Sequence, residues 1–137
     1  MAIDIRILAT ANLVVQLALI GVVFGAVYLA RRGRVVQHCN IVRGAVIVQI
    51  IAIFAIMLPS LLGYVESVPP IPFLYHELLI HHILGLVLIA IFIYVNLEVA
   101  RVIRPVVKRK NAMRTALAMW LVTIALGISI YFTVYYV

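Results

Sequence analysis

Four long apolar runs constrain this chain more than any other feature. They cover residues 5–30, 41–65, 78–100 and 113–137. Each exceeds the roughly 20 residues that a helix needs to cross a bilayer core. In lipid the backbone must satisfy its own hydrogen bonds, so the runs read as helices. Strands of a lipid-facing barrel would be shorter and would alternate in polarity. Composition agrees, with 67% hydrophobic and only 11% charged residues, against about 45–50% and about 25% in a soluble domain. The expected fold is therefore an all-α integral membrane protein forming one domain, 1–137. Short connections favour antiparallel neighbours, which predicts an up-down four-helix transmembrane bundle.

The formal charge of +7 would suit a nucleic-acid partner, but the placement of the cations excludes that reading. Ten of the eleven Lys and Arg residues lie in two short segments. One holds Arg31, Arg32, Arg34 and Arg43; the other holds Arg101, Arg104, Lys108, Arg109, Lys110 and Arg114. The connection between the second and third runs has Glu66 and Glu77 and no cation. The positive-inside rule then places the two basic connections in the cytoplasm and both termini outside, in the plasma membrane of a prokaryote. The basic segments read as topology determinants and contacts to anionic lipid. The first run does not read as a removed signal peptide, because its positive cluster follows the apolar stretch. Cys39 is the one cysteine, which excludes an internal disulfide and a Cys-pair metal site. The outer loop Ser67-Val68-Pro69-Pro70-Ile71-Pro72 reads as stiff and non-helical, and Pro59 predicts a kink in helix two.

In lipid, small and polar side chains mark the face of a helix that packs on a neighbour. Helix two carries His38, Ala45, Gln49, Ala52, Ile56, Ser60 and Gly63 on one stripe at 100° per residue. Helix three offers His82, Gly85, Ile89, Ile93, Asn96 and Ala100. Helix four offers Trp120, Thr123, Gly127, Tyr131 and Val134. Helix one has Asn12, Gln16 and then Gly21-x-x-x-Gly25, a weak packing signal.

Chemistry concentrates at His76-Glu77-Leu78-Leu79-Ile80-His81-His82-Ile83-Leu84-Gly85, which holds three of the four histidines within seven positions. Ionisable groups in or beside a bilayer are costly, which makes them functional candidates, and imidazole is the commonest metal and haem ligand. His82 shares its stripe with Gly85, and Gly63 could approach from helix two, which would leave room for a flat macrocycle. The functional reading of His82 is an axial haem or metal ligand. The bland reading is a helix-end histidine bonding across helices. Glu77 and His81 share a face at i, i+4 and could form half of a metal site with His76 or His82, or a solvated interfacial pair. His38, near Arg34 and Arg43, reads as a second ligand site or a snorkelling interfacial group. It lies about 22 helical residues from the level of His82, roughly 33 Å, too far to share one haem. Glu98 and Arg101 form an i, i+3 pair. No nucleotide-binding, zincin or nucleophile-elbow motif occurs, so a stand-alone enzyme is disfavoured.

These features, taken in order, resemble the domain-of-unknown-function family 420, small four-span membrane proteins that include a maturation factor for haem-copper (aa3-type) cytochrome oxidase. The similar pieces are Arg31-Arg32-Gly33 with His38, and Leu62-Gly63-Tyr64. They continue with Tyr75 and Leu78-Leu79-Ile80-His81-His82-Ile83-Leu84-Gly85, then Arg114 and Trp120-Leu121-Val122-Thr123 with Gly127 and Tyr131. The family's helix-three histidine falls on His82. The family's usual histidine before its last helix is missing, since this chain reads Lys108-Arg109-Lys110-Asn111-Ala112. The resemblance implies a haem- or copper-linked respiratory role with respiratory-chain membrane subunits as partners. Three readings follow. The first is a b-type haem protein in electron transfer or oxidase maturation, with a trans ligand from His76, His81, a partner subunit or a second copy in a homo-oligomer. The second is a cofactor-free assembly factor. The third is a protein binding copper, another divalent metal or a quinone through His76, Glu77 and His81.

Overall fold

Every regular element is helical in the computed structural model, which describes residues 4–67 and 72–136. α1 spans Ile5–Arg31, α2 Val35–Ala52, α3 Leu58–Ser67, α4 Pro72–Val99 and α5 Arg109–Tyr136, and a π-helix over Ile53–Met57 joins α2 to α3. Four stretches are long and apolar enough to cross a membrane: Arg6–Arg31, Val35–Gly63, Pro72–Val99 and Arg109–Tyr136. Of the stiff loop expected over 67–72, Ser67 is instead the last helical residue of α3, while 68–71 and the stripe position given to the Ser60 side chain lie outside the described residues. Pro72 itself is the first helical residue of α4. That position suits proline, since the amide it lacks would have no helical partner there and its φ is preset.

The chain divides into two compact units, Met1–Pro69 and Pro70–Val137. In the first, Asp4 opens α1, its Oδ1 accepting the Arg6 amide at 2.9 Å, which satisfies one orphan donor of the first turn. α1 ends where Gly33 takes φ 77°. The Gly33 amide bonds the Ala30 carbonyl and the Arg34 amide reaches back to Leu29. Paired bonds of this kind around a left-handed residue close a helix, and glycine adopts that conformation without a Cβ clash. The chain then returns along α1, with Gln16, Leu19, Ala26, Ala45 and Ala52 buried. The polar stripe of helix two thus points to α1 at Ala45 and Ala52. Within the first unit Gly21 and Gly25 lie off the α1–α2 seam: both are exposed, and a Cβ on either would meet nothing within 4 Å. Leu19 and Ala26, seven residues apart, form the seam instead.

Just before the kink expected at Pro59, helix two widens into the π-helix. The Leu58 amide bonds Ile53 five residues back, where an α-helix would bond four back. Pro59 follows directly and supplies no amide, so the carbonyl ladder is already broken there.

The second unit is an antiparallel hairpin of α4 and α5. Its cross-helix hydrogen bonds join residue 77 to 129, 81 to 123 and 98 to 109, so the partner number falls as the first rises. Buried positions in α4 recur at Leu74, His81, Leu88 and Val95, with Glu98 three further on. A seven-residue repeat marks a left-handed helix pair packed knobs-into-holes. α5 answers with Ala112, Ala116, Trp120, Thr123 and Ile124. The expected α4 stripe through His82 and Asn96 is therefore one residue out of phase with the hairpin face. Asn96 is exposed and donates Nδ2 to the Phe92 carbonyl of its own helix at 2.8 Å.

The α4–α5 connection contains a second left-handed closure. Arg101 has φ 59°, its amide bonds the Glu98 carbonyl, and the Val102 amide bonds Leu97. Arg101 is thus turned off the helix and does not pair with Glu98. The partner of Glu98 is Arg109, whose Nε and Nη2 both donate to Oε1, at 3.2 and 2.9 Å. The Tyr94 hydroxyl accepts the amides of Val106 and Val107 at 2.9 and 3.1 Å and pins the connection to α4.

Candidate functional site

All four imidazoles are held in one way: Nδ1 faces a backbone carbonyl. His38 meets Ala26 at 2.9 Å and His81 meets Thr123 at 2.9 Å, each across the hairpin. His76 meets Pro72 at 2.7 Å and His82 meets Leu78 at 2.6 Å, each four residues back in α4. A carbonyl can only accept, so Nδ1 carries a proton, and whenever the ring is neutral Nε2 is its lone-pair nitrogen. Fixing one nitrogen in this way sets the tautomer and orients the other for a ligand. Among the described residues no hydrogen bond uses Nε2 of any of the four.

The four rings differ in their surroundings. His81 is 9% exposed. A Cβ added to Gly127 would stand 3.1 Å from its Cε1 and 4.0 Å from its Nε2. The imidazole therefore lies in the space a larger side chain would occupy on α5. Thr123 and Gly127, one turn apart, make the seat: Thr123 supplies the carbonyl and Gly127 the room. Thr123 Oγ1 turns back to Met119 at 2.8 Å and leaves that seat clear.

His82, about 100° further round α4, is half-buried, and its ring meets that of His81 edge-on at 5.4 Å between centroids. Gly85, in the next turn, has nothing within 4 Å of where a Cβ would stand. His76 is exposed near the start of α4 with the Tyr75 ring edge-on at 5.9 Å. His38 is half-buried on α2, and Gly63 is half-buried on α3. Glu77 accepts from Ser129 Oγ at 3.1 Å through Oε1, while its Oε2 is buried without a partner.

The sequence pattern thus placed four polar residues on adjoining turns, and folding separates their tasks. Glu77 and His81 face α5, the His82 ring is drawn back along its own helix to Leu78, and His76 stands near the helix start. Among the described residues no three His, Cys, Asp or Glu side chains converge as a metal-binding group. Sequence reading missed the parts that α5 contributes: the Thr123 carbonyl, the open face of Gly127 and the Ser129 hydroxyl. Gly127, four residues after Thr123 on the predicted inward stripe, was the available signal, since a small residue admits a large group from the facing helix.

Comparison of the chain with family models, with curated proteins and with solved structures returns no match.

Proposed function

We propose that this chain is a b-type haem-binding membrane protein of respiratory electron transfer or haem-copper oxidase maturation. In this reading its four spans form an antiparallel up-down bundle in a prokaryotic plasma membrane, with both termini outside and the basic connections in the cytoplasm. The observation that carries the proposal is His82: a half-buried imidazole on a spanning helix, locked at Nδ1 by Leu78, with Nε2 unengaged and open space at Gly85. A haem-ligating imidazole would need that tautomer, and a flat macrocycle would need open space on the same flank. The resemblance of the helix-three segment to the four-span family supports the same residue.

When bound, haem supplies a reversible one-electron iron couple. The chain's own part is to hold and orient. Leu78 fixes the His82 ring, Gly85 leaves open space three residues further along the same flank, and the apolar surface of α4 would exclude water. His38, locked by Ala26, presents a second Nε2 in the first unit with Arg34 and Arg43 nearby in sequence. Those cations suit propionate groups. A second residue to hold the haem would come from a partner subunit or a second copy of the chain, since His81 is committed to Gly127 and Thr123.

A second reading, a cofactor-free membrane assembly factor, draws on His81. Its bond to Thr123 and its seat on Gly127 account for a buried histidine by packing alone. Metal or quinone binding through His76, Glu77 and His81 has less support, because their hydrogen bonds run to three separate places.

The test is an absorption spectrum of detergent-purified protein, expressed with haem available, oxidised and dithionite-reduced. The proposal expects a Soret band that is lost or shifted in His82→Ala and kept in His81→Ala. A colourless wild type would overturn it and favour the assembly factor.

A further inference from the structure

The connection between α4 and α5, residues 100–108, has a fixed backbone with an unusual surface. Arg101 closes α4 in the left-handed region, and Tyr94 holds the amides of Val106 and Val107. On this frame Val102 is 67%, Val106 87% and Val107 47% exposed. Arg101, Arg104 and Lys108 alternate with them and are exposed too. Among the described residues none of these three cations has a carboxylate partner. Glu98, the acid beside them, is taken by Arg109. α5 then starts with Arg109 and Lys110 and has no acid in its first turn. Cations at that end oppose the helix dipole, whose N-terminus is already positive.

This surface is poorly suited to water. It exposes branched apolar side chains and concentrates like charge without compensation. Both problems are relieved at a headgroup layer, where phosphates meet the cations and the acyl boundary receives the valines. The connection is short, and it joins two helices that are each long and apolar enough to span, Pro72–Val99 and Arg109–Tyr136. It is therefore held at headgroup depth. The turn after α1 carries a shorter version of the pattern: Val35 and Val36 are 57% and 74% exposed beside Arg31, Arg32 and Arg34, with Arg32 stacked over the Tyr28 ring at 4.8 Å.

We propose that residues 101–108 form a binding surface for anionic phospholipid, with Arg101, Arg104 and Lys108 on headgroup phosphates and Val102, Val106 and Val107 inserted beside them. This rests on the membrane-spanning reading and is independent of haem.

The experiment is thermal unfolding of the full chain in a neutral detergent, titrated with phosphatidylglycerol, phosphatidylcholine or inorganic phosphate. Phosphatidylglycerol is expected to raise the Tm, with the half-saturating concentration about 25-fold higher in Arg104→Gln/Lys108→Gln, about fivefold per charge. Val106→Ser should also weaken the effect. Both loop cations are exposed and unpaired, so the lipid-free Tm of the first variant should match wild type. Equal stabilisation by phosphatidylcholine would overturn the charge recognition. Equal stabilisation by inorganic phosphate would overturn the lipid assignment. An unchanged response in both loop variants would overturn the site.

Discussion

The two hairpins solve one problem with different means. Each folds a long apolar helix back on another, and each uses a histidine to grip a carbonyl on the facing helix, at 2.9 Å in both cases. The first adds little else: a three-residue turn with glycine at the left-handed position and a seam of small side chains, Ala26, Ala45 and Ala52. The second has a longer connection, an arginine in the strained position, a buried Glu98 held by Arg109, and Glu77 bonded to Ser129. Lipid tails are as apolar as leucine, so apolar side chains gain little by choosing a helix over lipid. Close approach through small residues and specific polar bonds are the two remaining ways to define a helix pair. The first hairpin relies mainly on the former and the second mainly on the latter. Polar substitutions should therefore damage the second more than the first.

The largest expected effect is at Glu98. Arg109→Ala leaves a carboxylate that is 8% exposed without its cation. Loss of one partner of an enclosed pair costs about 3–5 kcal/mol. The Arg109 side chain is 53% exposed, so water replaces part of its role and about 2 kcal/mol is the better expectation. Thermal unfolding in detergent would measure it, and a Tm equal to wild type would mean that the second hairpin does not depend on its ion pair.

Next come the two histidine grips. Gly127→Leu puts a side chain where the His81 ring lies and should cost about 1–3 kcal/mol by overpacking. His81→Ala removes the bond to Thr123 and empties the seat, at about 1–2 kcal/mol. His38→Ala removes a similar bond from a half-buried ring and should cost about 0.6 kcal/mol. The order of the two histidine variants is the sharper result. Equal losses would mean that the hairpins depend on their histidines alike.

The smallest effects lie in the turns and have opposite signs. Gly33→Ala puts a Cβ into the left-handed region and should destabilise by about 1 kcal/mol. Arg101→Gly relieves the same strain and should stabilise by about 0.5 kcal/mol once the added chain entropy of glycine is discounted. Paired melting curves of both variants would decide this.

Most of the helical content was legible, because 20 or more apolar residues in a row leave few alternatives. The inward face of helix two was also legible, since Ala45 and Ala52 are small residues in an otherwise bulky stretch. The face of α4 was not. His81 and His82 are adjacent, both polar, and one position turns a helix by about 100°. In water, a hydrophobic stripe would have decided between them; in α4 nearly every face is apolar. The choice of His81 is made by α5, through Gly127 and Thr123, and a single helix read alone does not contain it. The Glu98–Arg109 pair was hidden for a related reason. Arg101 stands at helical spacing from Glu98 in sequence, but the helix ends before it in a conformation that usually signals itself by glycine.

The π-helix at Ile53–Met57 has a consequence for how the second span presents its sides. One widened turn accommodates about one extra residue, so the angular count along the span slips by about 100° at that point. Residues before Ile53 and after Met57 therefore belong to two different angular series. Gly63 follows the slip, and it stands a quarter-turn or more from where an unbroken count from Ala45 and Gln49 would put it. A substitution series designed on a single wheel for Val35–Gly63 would sample one surface at its first end and another at its last.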